Sequence, residues 1–80
     1  MDKNLAWDLI RVSFRVAREL QGLLPRLKDQ CHAEEYEGHA RAIAGAIHGV
    51  NIALIDRALA AHPELRDRIE AELAEFGRIQ

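Results

Sequence analysis

The residues best suited to chemistry crowd into one short stretch, Cys31-His32-Ala33-Glu34-Glu35-Tyr36-Glu37-Gly38-His39. On a helix already formed there, His32, Glu35 and His39 stand at i, i+3 and i+7 and share one side. Two neutral imidazoles and a carboxylate suit zinc, iron, nickel or copper, and a twofold axis could bring two such sets together. The spacing is neither the His-Glu-x-x-His zincin motif nor the Glu-x-x-His pair of di-iron bundles. The plainer reading is a polar helix start, acidic as the helix dipole favours, with histidines flanking an apolar seam. Cys31 beside His32 has the parts of an activated thiol. Neighbours in sequence point in different directions on a helix, however, which leaves a lone cysteine with a packing role.

A second group is the stripe Arg11, Arg15 and Arg18, edged by Trp7 and Phe14. Three guanidinium groups on one face could hold a phosphate, an acidic segment or a nucleic-acid backbone. Asp8 lies one turn before Arg11, and Glu19 one turn after Arg15, so local pairing is expected to absorb much of this charge. A solvated helix face is the plainer reading.

A third group is structural. Gly45 and Gly49 extend through Gly38, Ala42 and Ala53 into a row of small residues. Glycine inside a helix costs ~1 kcal/mol against alanine, so three in one helix call for a compensating contact, such as close approach of another helix. His48 and Asn51, one turn apart, are candidates for fixing register across a helical seam. The chain has one serine, Ser13, no threonine, no Gly-rich phosphate loop and no nucleophile elbow. These residues define no catalytic set and specify no cofactor.

The elements that carry these groups are read from prolines, caps and periodicity. Asp2 or Asn4 is a plausible N-cap, and Gly22 a candidate left-handed C-terminal residue. Pro25 suits the first turn of the next element, and His62-Pro63 ends a long middle helix and restarts another. The expected helices are about 4–22, 29–61 and 63–77. No stretch alternates with period two, so the fold class is all-α.

Helical periodicity gives the first helix two apolar stripes, Leu5-Leu9-Val12-Val16-Leu20-Leu23 and Trp7-Ile10-Phe14-Ala17-Leu24. The middle helix has a seam of Tyr36, Ala40, Ile43, Ile47, Val50, Leu54 and Ala58, with the small-residue row on its far side. The last helix carries only Leu65, Ile69, Leu73 and Phe76. So much apolar surface on three helices, the middle one far longer than its companions, predicts a helical bundle completed by dimerisation through that helix. The expected contact residues are Tyr36, Ile43, Gly45, Ile47, Gly49, Val50 and Leu54.

Composition sets the outer limits. Eighty residues form one small domain, and one cysteine excludes an intramolecular disulfide and a Cys-rich zinc site. A net charge of −2 supplies no basic field for nucleic acid, a disfavoured partner. The longest stretch without formal charge, Ala42 to Ile55, is 14 residues against the ~20 that span a bilayer. It reads as a buried core helix, with no membrane partner. Arginines within the first amphipathic pattern argue against a secretory signal, so the expected location is cytoplasmic. Nine arginines against two lysines, with 13 alanines, suggest a GC-rich bacterial genome. The leading functional expectation is a homo-oligomeric module that binds another protein as adaptor, inhibitor or regulator. A metal- or cofactor-binding bundle using His32, Glu35 and His39 stands second, and an anion binder using Arg11, Arg15 and Arg18 third.

Overall fold

The structure, a computed structural model, describes all 80 residues and contains no strand. Helix α1 spans Lys3–Gln21 and is capped by Asp2, whose Oδ1 accepts from the Leu5 N–H at 2.7 Å. That bond satisfies one of the donors every helix start leaves free. Gly22 ends α1 at φ −63°, an ordinary right-handed conformation, so the expected left-handed turn does not occur there. The chain instead rolls directly into a short helix, α2, over Leu24–Gln30 with Pro25 in its first turn. The expected middle helix starting near residue 29 is therefore two elements. Cys31 and His32 are both extended, with ψ of 151° and 159°, and they break the path before α3 begins.

Helix α3 runs through Ala33–Ala61. It is regular over Ala33–Val50, makes one π turn over Asn51–Ile55, and is regular again over Asp56–Ala61. At 1.5 Å per residue its 29 residues reach about 43 Å, which sets the 45 Å long dimension of the molecule. Helix α4, Leu65–Phe76, closes on Gly77, whose φ of +73° supplies the left-handed C-terminal turn.

Helix α1 lies antiparallel to α3. Its start meets the end of α3, where His62 Nε2 lies 2.8 Å from the Met1 carbonyl oxygen. Its second half, at Phe14 and Ala17, shares a hollow with Ile47. The core is confined to the end where α1 begins and α3 finishes: Ala6, Trp7, Ile10, Ile55, Ala58, Leu65 and Ile79. Ser13 is the one buried polar residue, and its hydroxyl donates to the Leu9 carbonyl at 2.6 Å, within its own helix. The Arg68 guanidinium sits 4.1 Å over the Trp7 ring and covers the core from α4.

Three apolar expectations change in this packing. Of the two stripes on α1, the one with Trp7 and Ile10 turns inward, while Leu5, Val12, Val16 and Leu23 stay exposed. On α3 the π turn inserts one residue, so the seam steps from half-buried Val50 to buried Ile55 and Ala58. Leu54, expected in the seam by regular 3.6-residue spacing, is rotated outward and exposed. On α4 the stripe is used only at Leu65 and Ile69. Phe76 is half exposed, and Ile79 enters the core after the Gly77 turn.

The expectation of a buried core helix fails for most of α3. No residue of Ala33–Val50 is buried, because α1 covers only one side of it. By length and composition α3 could cross a membrane, a property core helices of soluble proteins share; 11% of its most apolar 18-residue window is buried.

Candidate functional site

The open end of the molecule, α2 and the first half of α3, carries the side chains that chemistry could use. Side chains on a helix lean toward its N-terminus, so a residue reaches back to the one four before it. His39 Nε2 accordingly lies 3.9 Å from Glu35 Oε1. Glu35 in turn reaches back toward Cys31, which the extended link leaves beside the helix start. A thiol, a carboxylate and an imidazole thus converge, with all three donor atoms within 4.8 Å of one another. His32, the third member expected from spacing, is exposed at the N-cap position and is not in this group. The i, i+3, i+7 rule assumed helix through position 32, and the chain is extended there.

The electrostatics of the group are set by Glu35. The Cys31 thiol is pushed above its ordinary value, first by its hydrogen bond to the Glu35 carboxylate, then by partial loss of solvent and by that same negative charge. Two hollows flank the sulfur. One, of about 250 Å³, is lined by Leu23, Arg26, Leu27, Gln30 and Cys31. The other, of about 310 Å³, includes Cys31, Lys28 and Tyr36.

The residues expected to make a contact between copies fall on different sides of α3. Tyr36, Ile43, Ile47 and Val50 are half-buried, whereas Gly45 and Gly49 are exposed. A methyl group added at Gly38, Gly45 or Gly49 would meet nothing within 4 Å. At 100° per residue, Gly45 and Gly49 each stand about 160° from Ile47, on the face turned away from α1. His48 and Asn51 are both exposed, and Asn51 borders the hollow beside Ile47 and Phe14.

The arginine stripe is split. Arg11 pairs with Asp8 at 3.2 Å as expected, but no ion pair joins Arg15 to Glu19. Arg18 lines a hollow of about 310 Å³ between α1, α3 and the C-terminal turn, together with Arg78. At the opposite end His62 forms a clasp. Its Nδ1 faces Glu64 Oε1 at 3.2 Å and its Nε2 faces the Met1 carbonyl oxygen. Glu64 is held below the usual carboxylate range, chiefly by its own backbone N–H and further by His62 and Lys3, against partial loss of solvent. Nothing in the spacing around His62-Pro63 pointed to this clasp, because its partner is the other end of the chain.

No protein-family model, no curated protein sequence and no solved structure matches this chain.

Proposed function

We propose that this chain is a small helical interaction module that works as a homo-oligomer, with the outer face of α3 covered by a second copy. The observation that carries this is surface area. A folded monomer of 9.0 kDa exposes about 4,850 Å². This chain exposes 5659 Å². The excess, about 800 Å², is what one partner contributes to a standard interface. The radius of gyration points the same way, at 14.8 Å against about 12 Å for a compact domain of this length.

The unburied Ala33–Val50 segment, with small residues facing outward, offers a surface on which two helix backbones can approach closely. A twofold pairing of this face makes a bundle with α3 of each copy at its centre and α1 outside. The remaining apolar strip of Leu5, Val12 and Val16 on α1 is then free to take a different protein, as an adaptor or regulator does.

Light scattering across micromolar concentrations on tag-free protein tests the reading. A dimeric or larger mass, with amide exchange slowed along Ala42–Ala53 as concentration rises, supports it. A monomeric mass throughout refutes it. Flotation with anionic and neutral lipid vesicles separates the other possible cover for this face, since a chain that leaves solution with vesicles uses α3 against lipid.

A further inference from the structure

We propose that Cys31, Glu35 and His39 form a binding site for a zinc-class divalent transition ion, with three ligands from one copy and a fourth position left open. The argument begins with the donor set. Thiolate and imidazole together suit zinc and its tetrahedral analogues, and carboxylate completes a mixed set that such ions accept. A tetrahedral zinc with ordinary bond lengths holds its S, N and O ligands about 3.4–3.6 Å apart. The three donor atoms already lie within 4.8 Å, and the His39–Glu35 pair is at 3.9 Å. Closing onto an ion therefore needs side-chain rotation alone, and Glu35 and His39 are exposed enough to rotate.

Backbone geometry makes the convergence specific. Glu35 and His39 are one helical turn apart, and the extended Cys31-His32 link places the sulfur at the open end of that line. Residues four apart are neighbours along one helix face, so Glu35 reaches back toward position 31 as His39 reaches back toward Glu35. The hollows on either side of Cys31 leave room for water, or a ligand atom, at the fourth position. On binding, the thiol proton passes to solvent and the sulfur bonds the ion as thiolate, with Glu35 turning from hydrogen-bond acceptor to ligand.

The site lies within one copy, so its test is independent of oligomer state. Cobalt(II) titrated into tag-free, reduced protein reports each ligand class separately. The expected result is one cobalt per chain, with sulfur-to-cobalt charge-transfer absorption and the intense ligand-field bands of a tetrahedral ion, both displaced by zinc. Cys31→Ser abolishes the charge-transfer band. His39→Ala and Glu35→Gln each weaken binding by more than ~10-fold, since even outer-shell changes cost that much. His32→Ala leaves all signals in place. Circular dichroism shows the four variants equally helical, because none of these side chains is in the core. Zinc raises the melting temperature of the parent chain but not of Cys31→Ser or His39→Ala. Absence of the charge-transfer band, or undiminished cobalt affinity in His39→Ala, overturns the proposal; dependence on His32 in place of Cys31 overturns this ligand set.

Discussion

Replacing Gly49 with leucine separates the two environments available to the outer face of α3. In the isolated chain nothing lies within 4 Å of a Cβ at this position, so the new side chain enters open space. Leucine is a better helix former than glycine by roughly 1 kcal/mol, which raises the melting temperature of the separated chain by ~4–8 °C for a domain of this size. Against a second α3 the same side chain collides. Overpacking costs ~1–3 kcal/mol at each site, and a twofold axis presents the site twice, so dimerisation weakens by ~2–6 kcal/mol. Each 1.4 kcal/mol is tenfold, so the dissociation constant rises ~30-fold to ~10⁴-fold. Sedimentation equilibrium gives the association constant, and thermal melts at dilute and concentrated protein give the two signs. Gly49→Leu that associates like the parent chain and melts higher at every concentration refutes the reasoning, because the face then meets only water.

The π turn carries a prediction of its own. Ile55→Ala destabilises by ~2–5 kcal/mol in urea unfolding, as for other core truncations, whereas exposed Leu54→Ala costs under ~1 kcal/mol. Equal effects would mean the helix is regular through this stretch. Ile79→Ala, beyond the last helix, loses ~2–5 kcal/mol, and Phe76→Ala much less. Glu64→Gln reshapes the acid limb of stability. The folded-state value of Glu64 lies below its ordinary 4.5, so its contribution is present above that value and vanishes as pH falls through the lower one. Parent and variant melting temperatures therefore differ near neutrality and converge in acid; a difference that grows in acid would contradict the clasp.

Much of the molecule was legible from local rules. Asp2 caps α1, Pro25 sits in the first turn of α2, and α3 ends before Pro63, each within a residue or two of expectation. All three depend on contacts within about four residues, where steric and capping preferences act directly. The candidate metal set was legible in part. Glu35 and His39 stand together as helical spacing requires; Cys31, four residues before Glu35, joins them, while His32 at the N-cap does not.

The sequence by itself determined the all-α class, the capped start of α1, the end of α3 before Pro63 and the surplus of apolar surface, since each follows from residue type and short-range backbone geometry. Only the tertiary structure decided which stripe of α1 turns inward, that Ile55 displaces Leu54, and that Ile79 closes the core. It also brought His62 to the Met1 carbonyl across the length of the chain. Each of these is a relation between elements, a rotational phase or an end-to-end meeting. Such relations follow from how several apolar faces share a small core, and no single helix's periodicity specifies them.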